Sequence, residues 1–260
     1  DRPYLVQLGD FMYNTYLKFD FGISWLYGVP VLQELTNRLP YTLLLGVSSM
    51  ILNFALGFGL GIFAGTHEGK WQDSLTMAIT MFLVSCPNFW LALMMVILFS
   101  VKLGWLPPYG IDSAANFIMP IIAAALGGVA MQARQMRSAV LDVSRADYLT
   151  TARAKGQTEK KVVYKHLLPN AMMPAITQLG GALGNVVAGS AIIESVFSIP
   201  GVGLYMLSGV NSRDYPVVRA CVLFFAVMTS LAMILTDVAY AYLDPRIKAQ
   251  YTARKKANKA

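Results

Sequence analysis

The chain has 260 residues, of which 56% are hydrophobic and only 13% are charged, and its formal net charge is +7. A soluble domain carries about a quarter charged residues, so this deficit and the mean hydropathy of +0.51 indicate a protein that lies mostly in a lipid bilayer. The two cysteines, Cys86 and Cys221, fall in apolar runs, which argues against a disulfide framework or a cysteine-based metal cluster.

Residues 1–41 form an amphipathic segment ahead of the first long apolar run. Apolar residues recur there at helical spacing, first over residues 4–19 and again over residues 31–39. The spacing predicts short helices that either lie on one face of the membrane or pack against the protein's own loops. The chain begins Asp-Arg-Pro without a starting methionine, so we expect a further segment upstream.

Five stretches are long and apolar enough to cross a bilayer as helices, which takes about 20 residues each. These predicted spans are residues 42–65, 75–101, 115–133, 175–197 and 217–243. Pro87 falls inside the second span and Pro120 inside the third, and each predicts a kink. The predicted fold is therefore all-α, a polytopic bundle of transmembrane helices over residues 42–245.

The orientation of the bundle follows from its Lys and Arg residues, because these are enriched on the cytoplasmic side of membrane proteins. If the polar segment 134–174 is cytoplasmic, 15 of the 21 Lys and Arg residues lie on that side, including those of the basic tail 246–260. Residues 1–41 then lie outside. A chain whose first segment is external needs an earlier span, which predicts a sixth helix upstream.

The polar segment 134–174 has the pattern of a helix, a bend and a second helix. Ala152 lies on the apolar face of the first helix, and Gly156 can adopt the left-handed conformation that ends it. Thr158 is suited to begin the second helix, which Pro169 is predicted to end. Because Ala152 and Gly156 are four residues apart, we expect them to share a face that enters a groove on a cytosolic partner. The alternative is a solvated basic loop.

This segment resembles the cytoplasmic coupling loop in the membrane subunits of binding-protein-dependent ABC importers. That loop reads Glu-Ala-Ala, three residues, Gly, nine residues, Ile, one residue, Leu-Pro. Thr150, Thr151 and His166 replace its Glu, first Ala and Ile. The peptide/nickel branch of the family instead reads Tyr-x-x-Thr-Ala-Arg-Ala-Lys-Gly. Tyr148 and residues 151–156 reproduce the branch pattern, and Leu168 and Pro169 fit the general one. The resemblance implies that the residues coupling to the ATPase are Tyr148, Thr151, Ala152, Ala154, Gly156, Leu168 and Pro169.

Further motifs of the same branch follow in order along the chain. They are Arg-Leu-Pro-Tyr-Thr-Leu at 38–43, Leu-Gly-Trp-Leu-Pro-Pro at 103–108, Glu-Ser-Val-Phe-Ser-Ile-Pro-Gly-Val-Gly at 194–203 and the ending at 237–246. The resemblance implies a permease subunit that imports di- or oligopeptides, or else nickel, metal chelates or glutathione-like solutes. It implies a second permease subunit, two cytosolic ATPase subunits, an extracytoplasmic solute-binding protein, no cofactor and a location in a bacterial or archaeal cytoplasmic membrane.

Polar residues inside the spans are candidates for the translocation path, because they are costly in lipid. Asn53, Gln178 and Asn185 are predicted to line the path, whereas Glu194 and Asp237 lie near span ends and suit the interface or a packing hydrogen bond. A stand-alone channel or secondary transporter is the alternative from another class, although no mid-span charge ladder supports it.

The glycines and histidines of the chain indicate helix packing and do not indicate a catalytic or metal site. Glycines four residues apart, at Gly57, Gly61 and Gly65 and at Gly180 and Gly184, favour helix packing within the chain over a partner interface. The run Gly-Thr-His-Glu-Gly-Lys-Trp at 65–71 is one residue too short for a phosphate loop and lacks its Ser/Thr. His67 and His166 have no ligand cluster around them, so no enzymatic or metal site is predicted.

Overall fold

The computed structural model describes residues 2–173 and 191–243. The described chain is helical apart from loops and one isolated antiparallel bridge between Ile23 and Pro30. Its helices in chain order are α1 (Tyr4–Met12, followed by a π-helical turn Tyr13–Leu17), α2 (Val31–Thr66), α3 (Trp71–Ser85), α4 (Asn88–Met95, followed by a π-helical segment Val96–Lys102), α5 (Ala115–Ser144), α6 (Asp147–Ala154), α7 (Glu159–Val162, followed by a π-helical turn Val163–Leu167), α8 (Ala191–Val196), α9 (Val202–Ser212) and α10 (Tyr215–Leu243).

The helices confirm an all-α membrane bundle. In the described chain, α2, α5 and residues 215–236 of α10 are each long and apolar enough to cross a membrane. Helices α3 and α4 form a fourth candidate span that is bent by 100°. These four correspond to the first, second, third and fifth predicted spans. Of the predicted span 175–197, the structure describes only the end, which contains α8.

The bend between α3 and α4 follows from Pro87. A proline disfavours the helical conformation of the residue before it, and Cys86 is accordingly extended (φ −87°, ψ 128°). Pro87 then stands directly before α4. Pro120, by contrast, lies inside α5, which runs on through it to Ser144. The predicted polar segment 134–174 therefore begins with a continuation of this membrane helix.

Helix α2 begins 11 residues before the predicted span, at Val31 rather than at residue 42. Val31 and Leu35 are fully buried and pack against α9 and α10. Burial of this stripe is why the helix extends so far and runs through Pro40. Of the two alternatives for residues 31–39, packing against the protein's own outer elements is correct, and the predicted boundary at residue 41 falls inside a helix. Helix α1 has no buried residue.

Helices α2 and α5 lie side by side and pack closely along the glycine stripe of α2. A Cβ added to any of these glycines would lie 2.5–2.6 Å from a side chain of α5. The pairs are Gly57 with Gln132, Gly61 with Met136 and Gly65 with Val140. The prediction that this stripe serves packing within the chain is confirmed. Gly65 also begins the run at 65–71 that was compared with a phosphate loop, and it lies in this packed part of α2.

Candidate coupling site and translocation path

The bend of the polar segment is formed by Gly156. Its φ is +74°, the left-handed conformation predicted from the sequence, and its N–H donates to the Arg153 carbonyl at 2.9 Å. Thr158 stands directly before α7, the position predicted for it, but its side chain makes no capping hydrogen bond. We call α6, this bend and the helix from Glu159 to Met173 the coupling element.

One face of the coupling element packs on the end of α5. Leu149 and Ala152 of α6 meet Val162 and Leu167 over Met136 and Val140, all of them buried. The prediction that Ala152 and Gly156 share an outward face is therefore wrong. Spacing of four residues keeps two positions on one face only within a regular helix. Helix α6 ends at Ala154, so the left-handed turn carries Gly156 away from the face of Ala152.

The other predicted coupling residues are divided between the surface and the interior. Tyr148, Thr151, Ala154 and Gly156 are exposed on the described chain, and Tyr148 keeps 44% of its surface. Leu168 is partly buried against the same core as Ala152. The surface open to a partner is thus formed by the outer side of α6 and by the bend.

Pro169 does not end the second helix, contrary to the prediction, because the helix continues to Met173. A proline removes one N–H donor from the regular ladder. The ladder has already shifted before Pro169, since the Leu168 N–H donates to the Val163 carbonyl five residues back. A missing donor one residue later is tolerated there.

Two polar contacts support the bend: one joins its two helices, and the other joins the second helix to the bend itself. Arg153 donates to both carboxylate oxygens of Glu159, at 2.8 and 3.1 Å. The hydrogen bond lowers the pKa of the Glu159 carboxyl and raises that of the Arg153 guanidinium. His166, which replaces the Ile of the family pattern, lies 2.9 Å from the Gln157 amide oxygen. The exchange of Ile for His thus gives the bend a second polar contact.

A buried ion pair, which the sequence did not reveal, ties α3 to α5 beside the coupling element. Arg137 donates to Asp73 through two nitrogens, at 2.6 and 2.8 Å. Gly69 adds a backbone N–H at 3.2 Å. The Asp73 side chain is 6% exposed. An acidic residue at the start of an apolar helix is the one sign of this ion pair in the sequence. Its partner cannot be identified from the sequence, because it lies 64 residues away.

Asn53 lies in the middle of α2, where its side chain packs against α5. A Cβ at Gly128 would overlap the Asn53 amide. The Asn53 Oδ1 atom is shielded from solvent and has no hydrogen-bond donor within the described chain. Its role in the translocation path stays a prediction. Gln178 and Asn185 lie outside the described residues, as do Gly180, Gly184 and the side chain of Asp237.

Glu194 makes packing hydrogen bonds, one of the two alternatives predicted for it. It is fully buried and accepts from the Thr42 hydroxyl at 2.9 Å and from the Leu204 N–H at 2.8 Å. Thr42 in turn accepts from the Val202 N–H at 2.9 Å. Glu194 thereby caps α9 and fixes this short outer helix to α2. The buried carboxylate is explained by these partners.

Comparisons with known proteins decide which family this architecture belongs to. The sequence profile of the family described as "Binding-protein-dependent transport system inner membrane component" matches residues 57–249. The chain belongs to this family. It is therefore a permease subunit of an ABC importer and spans the inner membrane several times. It is not itself an enzyme, because ATP is hydrolysed by separate subunits of such importers.

Individual relatives agree with the family assignment. Glutathione transport system permease protein GsiC of Escherichia coli (strain K12) is 38% identical over 248 residues, which cover 95% of this chain and 81% of that protein. Its counterpart from Salmonella typhimurium (strain LT2) is 39% identical with the same coverage. Membership of the importer family removes the alternative of a stand-alone channel or secondary transporter.

Solved structures show that the fold is that of ABC permeases. A chain of the MetNI methionine ABC transporter in an inward-facing conformation aligns with a TM-score of 0.65 and 20% identity, over 82% of this permease and 97% of that chain. A chain of an amino acid ABC transporter with histidines gives a TM-score of 0.64 and 17% identity, over 82% and 95%.

Proposed function

We propose that this permease imports small peptides, namely di- and oligopeptides and glutathione, by alternating access. The observation that carries the proposal is the 38–39% identity, over 95% of the chain, to permeases named for glutathione transport. The peptide/nickel form of the coupling segment, Tyr148 with residues 151–156, supports the same class of cargo. Glutathione is itself a small peptide, so one cargo class accommodates both lines of support.

The coupling element is proposed to receive the motion of the ATPase subunits. Its outer face, Tyr148, Thr151, Ala154 and the bend at Gly156, contacts the ATPase, while its inner face is packed on α5. The buried contacts of Leu149 and Ala152 with Val162 and Leu167 make the element move as one body. Because α5 runs unbroken for 30 residues from this packing into the membrane, a displacement of the element reaches the middle of the bundle.

Helices α2 and α3 are expected to follow that displacement. The glycine stripe lets side chains of α5 pack directly on the backbone of α2, and the ion pair of Asp73 with Arg137 fastens α3 to the same helix. The three helices therefore act as a unit that rocks against the partner permease subunit. ATP binding and hydrolysis in two cytosolic subunits drive the cycle. A solute-binding protein delivers cargo on the outer side, near the loop 104–109 and the segment 199–214 that contains α9.

Uptake by cells that lack this permease, with and without the chain restored, tests the proposal. We expect restored cells to take up labelled glutathione and labelled dipeptides in an ATP-dependent manner and to gain no nickel uptake. Nickel or metal-chelate uptake without peptide uptake would overturn the peptide assignment and support the alternative cargo of the branch. Restored cells that carry Gly156→Val provide the uncoupled control.

A further inference from the structure

Three side-chain amides lie on or against the middle of α5 in the membrane-spanning region. Asn53 lies at the centre of the first predicted span, and Asn88 lies at the 100° bend in the centre of the second. Both approach α5 near its middle, at the Gly127–Gly128 pair. Gln132 follows one turn along α5. Broken helices at the bilayer midplane commonly form the binding sites of transporters.

The glycine pair makes room for two of these amides. A Cβ at Gly127 would lie 2.9 Å from the Asn88 Oδ1 atom, and a Cβ at Gly128 would overlap the Asn53 amide. The two directions from α5 differ, so Asn53 and Asn88 flank the glycine step. Any larger residue at either position would displace one of the asparagines.

The hydrogen-bonding groups of these amides are unused within the described chain. The Asn53 Oδ1 acceptor and the Gln132 Nε2 donor are shielded from solvent and unpaired, and Gln132 is only 6% exposed. The Asn88 residue is exposed, and its side chain makes no hydrogen bond to any described residue. Buried polar groups without partners are costly and rare, and each one calls for an explanation.

We propose that Asn53, Asn88 and Gln132 form a cargo-contact site that hydrogen-bonds the amide groups of a peptide during translocation. A primary amide both donates and accepts, which complements the N–H and C=O of a peptide bond. Neutral hydrogen bonds are weak enough for release on the inner side, a requirement shared by conduction sites. Asn88 and the half-buried Asn53 meet the cargo first, and Gln132 lies behind them. This inference rests on the proposed import of peptides.

The first test compares peptide moved with ATP hydrolysed in proteoliposomes that hold the complete importer and saturating loaded binding protein. The variant is Asn53→Ala with Asn88→Ala. We expect its peptide moved per ATP to fall roughly tenfold, as the loss of two ordinary hydrogen bonds gives, with ATP hydrolysis retained. Thr80→Val is the control, since the buried Thr80 hydroxyl already bonds the Met77 carbonyl of its own helix at 2.9 Å, and it should leave the ratio unchanged.

The second test asks for a change in selectivity, which a purely structural role would not produce. Asn88→Asp places a carboxylate at the exposed edge of the site. Relative to wild type, this variant should raise the ratio of the transport rate of a lysine-containing dipeptide to that of a glutamate-containing dipeptide by several fold. Equal effects on both dipeptides, or a double-alanine variant with an unchanged ratio of peptide to ATP, would overturn the site. If the wild-type importer moves no peptide, both the proposed function and the proposed cargo-contact site are wrong.

Discussion

Ala152 and Gly156 lie four residues apart but on opposite sides of the coupling element. Ala152 is 6% exposed and packs with Leu149 and Val162 above the end of α5. Gly156 is exposed, has a φ of +74° and has open space where a Cβ would point. A bulky residue at 152 therefore overpacks the permease's own core. A bulky residue at 156 protrudes into the space that a partner would occupy.

Gly156→Val should abolish ATP-dependent peptide uptake while the permease still inserts into the membrane. A β-branched residue in the left-handed conformation costs about 1–2 kcal/mol, and no atom of the described chain obstructs the new side chain. The added bulk instead meets the ATPase. We expect poor co-purification of the ATPase subunits, or ATP hydrolysis that no longer responds to the binding protein.

Gly28→Val is the matched control for this substitution. Gly28 is exposed and has a φ of +67°, no atom lies within 4 Å of the position that a Cβ would take, and its loop lies between α1 and α2, outside the coupling element. The backbone strain is the same, so any general loss of stability should be the same. Uptake that survives Gly156→Val, or that fails equally in both variants, would show that the bend is not a docking site.

The ion pair of Asp73 with Arg137 should contribute strongly to stability. Asp73→Asn leaves the Arg137 charge without its carboxylate. Because Arg137 is 27% exposed and water can reach it, we expect a cost of about 1–3 kcal/mol. Replacing both residues by leucine should recover much of that loss, because no unpaired charge remains. Thermal unfolding of the two variants in detergent measures the difference. A single variant as stable as wild type would contradict this account of the pair.

The stability of the outer region should depend on pH through Asp214. Burial alone would raise the pKa of the Asp214 carboxyl, but hydrogen bonds from the Ser24 hydroxyl and from backbone N–H groups, including that of Leu26, outweigh it and lower the pKa below its ordinary value of 3.8. A lowered pKa in the folded state means that the stabilisation is present above the ordinary value and is lost as the pH falls below it.

Asp214→Asn isolates this contribution, because asparagine cannot ionise. We expect the wild type to unfold at a higher temperature than the variant near pH 6. The gap between the two unfolding temperatures should narrow as the pH falls from 5 towards 3. A gap that is constant over this range would show that the Asp214 charge does not stabilise the contact between Ser24 and the start of α10.

The orientation can be tested with single cysteines after Cys86 and Cys221 are replaced by alanine. A cysteine at the exposed Asp112 should react with an impermeant reagent in intact cells, because the Lys and Arg distribution places residues 102–114 outside. A cysteine at the exposed Lys155 should react only after the membrane is opened. Labelling at 155 in sealed cells would reverse the orientation and separate the coupling element from any cytosolic ATPase.

The sequence predicted those features that depend on local composition or backbone preference. Apolar length located the four candidate spans that the structure describes, Pro87 located the bend, and Gly156 located the left-handed turn. The sequence predicted too late a start for α2, because residues 31–39 are amphipathic and were read as separate from the apolar span. Only their burial against α9 and α10 shows that the helix continues through Pro40.

Features that depend on distant contacts could not be predicted in this way. The inward side of Ala152 depends on packing with α5, and the partner of Asp73 lies 64 residues along the chain. Asn88 follows a proline and reads as an ordinary helix start in the sequence. Its place at the same height on α5 as Asn53 depends on how α2 and α4 pack against α5.

Peptide uptake into proteoliposomes, with and without the ATPase subunits, tests most directly whether the coupling element links peptide movement to ATP hydrolysis. With the permease pair, the ATPase subunits and loaded binding protein, we predict accumulation of labelled glutathione or dipeptide that requires ATP, and none when the ATPase subunits are omitted or when Gly156 is replaced by valine. Accumulation that is equal with and without the ATPase subunits, or unchanged in the Gly156→Val complex, would contradict the account.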